Sequence, residues 1–285
     1  MAEIYPLRAL TDTEISSSWK NWNEEATKLA KTCSRAEIPS LDHLSRDDYN
    51  KVYEPSDDTF LLLDAINVDY ENYAANKITS ENTLKSSIIE NTLEIGGGTG
   101  VATIFLAQLL ASSLAYENQT RKTMNHYVTD INPDALKITL QTAKHNQNDN
   151  TSFQIKTIQC DLASDLLPKL TNMVDILLFN PPYVPTPDSE VGSNGIEASW
   201  AGGTNGRIVL DRALPQIAQL LKWPNGVAYV ITVDENFPQE IADIMHNKYG
   251  IIVRPFVRRR AWNEFLTVQK MTLTRPLDFE SKQVM

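Results

Sequence analysis

Cysteine is scarce: the 285-residue chain has only Cys33 and Cys160, far apart in sequence. Thiolate zinc sites gather close cysteine or histidine pairs into a four-ligand set, so neither such a site nor a disulfide framework is expected. The four histidines, His43, His126, His145 and His246, also lack ligand spacing. No metal is expected. Long apolar runs are missing too, none approaching the ~18 residues of a membrane span. The opening MAEIYPLRAL lacks a basic start followed by an apolar stretch. An intracellular protein is the expectation, cytoplasmic with the nucleus left open. Basic residues are outnumbered, 26 to 36, for a net charge of -10, which argues against wrapping a nucleic-acid backbone. The run Arg258-Arg259-Arg260, with Arg254 upstream, reads as a solvated strand end or as a contact for an anionic partner. No G-x-S-x-G elbow is present, so Ser-His-Asp hydrolysis has no support.

What is present begins with a hydrophobic content of 42%, enough for one main domain with a large core. No Pro/Gly/Ser-rich linker divides the middle of the chain. The reading is an extension over 1–47, partly mobile or folded back on the rest, a main domain over 48–273, and a tail over 274–285. Helical patterning around 17–31 has no clear period, although Trp19 and Trp22 lie in it. Ser56 is a plausible N-cap, Asp57 and Asp58 suit a first turn, and Leu62, Leu63 and Ile66 recur at helical spacing. The polar stretch 68–87 reads as a connection with one irregular helix.

From residue 91 the pattern is β-loop-α, repeated. NTLEI at 91–95 is a strand, GGGTG a turn, and 101–114 an apolar helix. A second strand at 126–130 precedes Asn132-Pro133-Asp134, a strong helix start with Asn as cap and Pro at N1. A third strand is placed at 153–159. The fourth, at 174–179, is apolar except for Asp175, as a central strand buried on both faces should be. Residues 185–206 form a long Gly-rich loop, 207–221 a helix, 227–233 a strand, 237–247 a helix, and two last strands fall near 250–256 and 264–271. This order predicts a doubly wound α/β fold with a seven-stranded mixed sheet flanked by helices. Ligands of such sheets bind beyond the carboxyl ends of the strands.

Three acidic strand tips converge there. Gly96, Gly98 and Gly100 let the backbone approach a ligand, and Glu94 at the strand end suits a cationic ammonium and repels phosphate. Taken alone, the turn also fits a dinucleotide enzyme or an ordinary glycine-rich bend. Asp130 is placed to accept from both ribose hydroxyls, and Asp161 from an adenine amine, with Leu162 as an apolar wall. Each has a plain loop reading as well.

Asn180-Pro181-Pro182-Tyr183, directly after the central strand, is the sharpest signal. Two prolines remove two amide donors and stiffen the turn. The Asn180 side-chain oxygen and a backbone carbonyl, such as that of Pro181, can together accept both protons of an amide or amine nitrogen. Tyr183 can stack on that flat group, and Pro182 completes the rigid wall. An amide nitrogen is a poor nucleophile, so catalysis must come from positioning and polarisation. Glu54 or Asp58 borders the same cleft and can touch the substrate backbone or the cofactor ammonium. The loop 192–206 is long enough for a substrate-binding flap. Alternatives are methylation of a protein lysine, methylation of an exocyclic amine of a nucleic-acid base, and a catalytically silent adaptor.

With VYEPSDDTF, TLEIGGGTG, TDINPDA, LLFNPPYVPTP, EVGSNGIEASWAGGTNGR and RRRAWNEFLTV in place, the chain resembles the HemK-type protein N5-glutamine methyltransferases from about Asp48 to Met271. More narrowly, it is similar to the eukaryotic class that modifies a translation termination factor. The resemblance implies the class I S-adenosylmethionine-dependent methyltransferase fold, with S-adenosylmethionine as cofactor. It also implies, as substrate, the glutamine of a Gly-Gly-Gln loop in a class I peptide-release factor. It places cofactor contacts at Glu94, Gly96, Gly98, Asp130 and Asp161, and the substrate amide at Asn180 with Pro181 and Tyr183. It further implies a heterodimer with a small zinc-binding activator that pairs along the strand at 153–159, where an uncovered edge would be a liability.

Overall fold

The structure is a computed structural model and describes residues 12–32, 37–79, 89–116, 124–147, 153–192 and 196–277. Eight helices and seven strands alternate over them: α1 (Asp12–Thr32), α2 (Arg46–Tyr49), α3 (Asp57–Thr79), β1 (Asn91–Ile95), α4 (Val101–Tyr116), β2 (Asn125–Asp130), α5 (Pro133–His145), β3 (Gln154–Gln159), α6 (Leu167–Leu170), β4 (Ile176–Phe179), α7 (Ile208–Leu220), β5 (Val227–Thr232), α8 (Pro238–Tyr249), β6 (Ile251–Ala261) and β7 (Glu264–Leu273). The strands form one sheet in the order β3-β2-β1-β4-β5-β7-β6. Pairing is parallel from β3 through β5, and β7 runs antiparallel to both of its neighbours. This is the doubly wound mixed sheet expected, with strand order reversing between β1 and β4.

β1 is buried at all five positions, polar Asn91, Thr92 and Glu94 included, and its neighbour β4, buried at three of four positions, is apolar throughout rather than alternating. The period of two sends Leu93, Ile95, Leu177, Phe179, Ala228 and Val230 into the layer shared with α7 and α8. Leu178, Tyr229 and Ile231 point instead into the layer of α3 and α4. Local signals set the helix ends. The Asn132 side chain accepts from the Asp134 amide at 2.9 Å with Pro133 at the first turn of α5, and Gly250 closes α8 at a φ of 62°.

Two segments differ from the sequence reading. α1 is a regular helix across 12–32, packed along β6. Trp19 enters one core layer with Trp22 beside it, while Leu29 and Ala30 pack against the other. The Trp22 ring also lies 4.7 Å from the Arg254 guanidinium. α1 thus lines the long edge strand that would otherwise end the sheet. α3 continues to Thr79, through most of the stretch read as a connection. No Gly or Pro occurs between 57 and 79, so nothing in the backbone stops the helix, despite the polar side chains.

The arginine run is divided by the same period of two. Arg258 makes two bonds to Asp234, at 2.7 and 2.8 Å, whereas Arg259 turns to Asp64 at 2.6 Å and only Arg260 is exposed. Among the described residues no helix is long and apolar enough to cross a membrane.

Candidate active site

The parallel register brings the carboxyl ends of β1, β2, β3 and β4 side by side: Ile95 lies opposite Thr129 and Phe179, and Asp130 opposite Gln159. Gly96, Asp130, Asp161 and Asn180 therefore share one end of the sheet. The glycine turn is tied to β2, since the Gly96 and Gly97 amides donate to the Thr129 carbonyl at 2.8 and 3.1 Å.

The glycines divide their work. A Cβ at Gly96 or Gly98 would meet nothing within 4 Å, and both have positive φ, 72° and 52°. At Gly97 a Cβ would lie 2.2 Å from Val128 Cγ1, and at Gly100 it would lie 2.8 Å from Thr139 Cγ2. The first pair faces open space; the second lets β2 and α5 pack close. Gly100 thus belongs with the packing glycines.

Asp130 holds this turn from the next strand. Its Oδ2 accepts the Gly98 amide at 3.1 Å and its Oδ1 the Asn132 amide at 2.8 Å. A carboxylate has about four acceptor positions, so each oxygen keeps capacity for a hydroxyl. Burial raises the Asp130 pKa against those two bonds. Glu94 is buried behind the turn, where Oε2 accepts the Thr103 amide at 3.0 Å and the Thr103 hydroxyl as well. Desolvation pushes its carboxyl up to about 8, with Thr103 opposing and Asp130 adding. Buried Glu94 and half-buried Asp130 beside open space favour a cation there, whose arrival would draw the proton from Glu94, and oppose a phosphate.

Asp161 lies at the tip of β3, half exposed and ion-paired with Arg212 of α7. Leu162 next to it is buried at a φ of 55°. The Ala163 amide donates to Gln216 Oε1 at 2.9 Å, so this loop is fastened to α7 at two points.

The Asn180-Tyr183 turn is the most tightly built part of the site. Asn180 Nδ2 donates to Asp58 Oδ2 at 3.0 Å. Asn180 Oδ1 is buried and has no hydrogen-bond partner, which costs about 1–3 kcal/mol until a donor arrives. The Tyr183 hydroxyl donates to Asp58 Oδ2 at 3.2 Å, and the Tyr53 hydroxyl to Asp58 Oδ1 at 3.2 Å. Burial, with Asp58 alongside, holds both phenols far above their ordinary range, so both remain donors. Asn236, in the short turn between β5 and α8, clamps the segment: its Nδ2 donates to the Tyr183 and Asn205 carbonyls at 2.9 Å each. Pro181 and Pro182 complete the segment without amide donors.

Asp58 is 3% exposed, whereas Glu54 faces solvent. The sequence treats the two as equals; the structure sets one inside the site and one at its mouth. The Gly-rich loop is fixed at its base. The Thr186 amide donates to the Gly203 carbonyl at 3.1 Å, and Asp188 Oδ1 accepts from the Thr204 amide and hydroxyl at 2.7 and 2.8 Å. Sequence reasoning missed Tyr53, Thr103, Arg212 and Asn236. Only Tyr53, five residues before Asp58, had a local signal.

Open space at Gly96 and Gly98, a two-oxygen acceptor at Asp130 and an acidic surround match a nucleoside that carries a cationic sulfonium and ammonium. These residues fit S-adenosylmethionine.

No family model matches the chain. It is 42% identical over 234 residues to "Methyltransferase HEMK2" of Homo sapiens, covering 82% of this chain and 95% of that one. It is 34% identical over 239 residues to "eRF1 methyltransferase catalytic subunit mtq2" of Schizosaccharomyces pombe, covering 82% and 94%. Against "Putative protein N5-glutamine methyltransferase MJ0928" of Methanocaldococcus jannaschii it is 33% identical over 181 residues, covering 64% and 72%. The solved E. cuniculi Mtq2-Trm112 complex matches at 20% identity, with a TM-score of 0.44, covering 78% of this chain and 99% of that chain. With nearly the full length of the human and yeast relatives matched, the chain belongs to the HemK-type protein N5-glutamine methyltransferases and is an S-adenosylmethionine-dependent enzyme.

Proposed function

We propose that this enzyme methylates the side-chain amide nitrogen of the glutamine in the Gly-Gly-Gln motif of a class I peptide-release factor. The observation that carries the reading is the buried, partnerless Asn180 Oδ1 at the tip of β4. An acceptor shielded from water selects a group with N–H to give. The relative in Schizosaccharomyces pombe bears the name of an eRF1 methyltransferase, which supports the same substrate class here.

Bound S-adenosylmethionine supplies an electrophilic methyl group on a positively charged sulfur. The Asp130 carboxylate would hold the ribose, Gly96 and Gly98 would leave room for the donor chain, and Glu94 would balance its charge. Asp161 and Leu162 would border the adenine. Asn180 Oδ1 accepts one amide proton and the Pro181 carbonyl is the candidate for the other, so the lone pair stands out of the amide plane toward the donor. The nitrogen held there would take up the methyl as the donor's carbon–sulfur bond breaks, and one amide proton would then leave to solvent. Positioning within a short distance supplies most of the rate.

The partner in this reading is a small zinc-binding activator along β3. Among the described residues, β3 pairs only with β2 and is buried at none of its six positions. A strand edge of that kind accepts a partner by strand addition. Cytoplasmic residence follows from a release-factor substrate.

The test is transfer from labelled methyl donor to release factor carrying Gln or Ala in its Gly-Gly-Gln loop, with and without the activator. Label is expected on the Gln form alone. Equal label on the Ala form overturns the glutamine reading and points to lysine.

A further inference from the structure

Asp58 is buried beneath Asn180, and each hydrogen bond of its carboxylate is one that it accepts, with the Glu264 carboxyl near enough to feel its charge. The Thr59 amide donates to Oδ1 at 2.6 Å and the Thr59 hydroxyl at 3.3 Å. The Tyr53 and Tyr183 hydroxyls and Asn180 Nδ2 supply the rest. A backbone amide can only donate, and both phenols keep their protons, so this carboxylate acts purely as an acceptor.

A carboxamide can present either end to its surroundings. Turning Asn180 over would aim Oδ1 at the Asp58 carboxylate, lose the 3.0 Å bond and set acceptor against acceptor in a buried site. Asn180 is therefore held in the one orientation that leaves Oδ1 for a ligand.

The geometry points to Asp58 as the positioning residue that fixes Asn180 as an acceptor and so makes the site select a carboxamide over a carboxylate. The inference rests on the glutamine reading and deepens it. A glutamine side chain brings N–H to Oδ1. A glutamate in its place brings a negative oxygen to an acceptor backed by a second carboxylate, with no means for Asn180 to turn and offer a donor. Asp58 serves the reaction as well. Positive charge develops on the nitrogen as the methyl arrives, and the Asn180 dipole, its amino end on Asp58, points its negative end there.

The experiment compares wild type with Asp58→Asn and Asp58→Glu, each with the activator, on release factor carrying Gln or Glu in the Gly-Gly-Gln loop. Binding of each form is titrated in the presence of the demethylated cofactor product, and turnover is measured on the Gln form. Wild type should prefer Gln by about tenfold or more, the scale of one buried hydrogen bond. In Asp58→Asn the position can donate to Asn180 Oδ1, so Asn180 turns over. The Gln preference should collapse to within roughly threefold and turnover should fall by about 100-fold, with cofactor affinity unchanged. Asp58→Glu keeps an acceptor beneath Asn180, so the Gln preference should persist while turnover drops. It carries the test if Asp58→Asn does not fold. Wild-type turnover and preference in Asp58→Asn overturn the inference, as does loss of the preference in Asp58→Glu. Failure of wild type to methylate the Gln form overturns the underlying reading instead.

Discussion

The Asp130 carboxylate reaches across from β2 to receive the Gly98 amide at 3.1 Å, so the turn after β1 is held by the same side chain proposed to receive the ribose. Both oxygens are already anchored by backbone amides, one to Gly98 and one to Asn132. The side chain is thus fixed before any ligand arrives, which reduces the ordering cost of binding. Replacing it with alanine should weaken cofactor binding by roughly 100-fold, since a hydrogen bond to a charged acceptor contributes ~1.5–3 kcal/mol. Calorimetric titration checks this, and an unchanged affinity removes Asp130 from the ribose role.

The glycines should separate stability from binding. Gly97→Ala places a methyl 2.2 Å from the fully buried Val128 and should cost about 1–3 kcal/mol of stability, as overpacking does. Gly98→Ala meets no atom within 4 Å and should cost only the ~1–2 kcal/mol of a left-handed backbone, but its methyl enters the space proposed for cofactor. Urea unfolding should rank Gly97→Ala as no more stable than Gly98→Ala, and cofactor titration should rank Gly98→Ala as the poorer binder. The opposite ranking in titration contradicts the division.

Glu94 should leave a signature in the pH dependence of the cofactor-free protein. Its folded pKa is raised to about 8 from 4.5, so the folded state holds a proton that the unfolded chain has released. The stability it contributes is complete below 4.5 and is lost as pH rises toward 8, by up to ~1.4 kcal/mol per pH unit. His126, buried with its pKa lowered to about 4 from 6.5, acts with the opposite sign over the acid part of that range. The window from 6.5 to 8 is therefore the cleaner one. Glu94→Gln should flatten the decline there, as denaturant melts across that interval would show. Equal slopes in both proteins would mean that Glu94 is charged in the folded state.

α1 should be part of the folded unit. Trp19 is 8% exposed, and its replacement by alanine should cost ~3 kcal/mol or more, the usual cost of a buried aromatic truncation. A change below ~0.5 kcal/mol would match an exposed site and contradict the packing.

How far the sequence reaches is clearest at particular residues. β4 is readable because a strand buried on both faces becomes a continuous apolar run, and the glycine turn after β1 because positive φ demands glycine. For α1 the sequence shows helical patterning around 17–31 but not its full extent or its place on β6; Trp19, Trp22, Ala26, Leu29 and Ala30 recur at helical spacing, and the polar residues between them hide the stripe. In the sequence Asp58 stands beside Glu54 as one of two acids at a cleft. Its phase was the clue, because it shares a face with Leu61, Leu62 and Ala65, which are all buried. The Arg212 pair with Asp161 and the Asn236 clamp on Tyr183 join residues 51 and 53 positions apart, and no local pattern encodes such a meeting.

The most direct measurement is turnover and cofactor affinity of Asn180→Ala, made side by side on the enzyme with the proposed activator. Cofactor affinity is expected within about threefold of wild type and turnover ~100-fold or more lower, since the buried side-chain acceptor proposed for the substrate nitrogen is gone. Turnover equal to wild type would contradict that role, because the amide would then be held elsewhere.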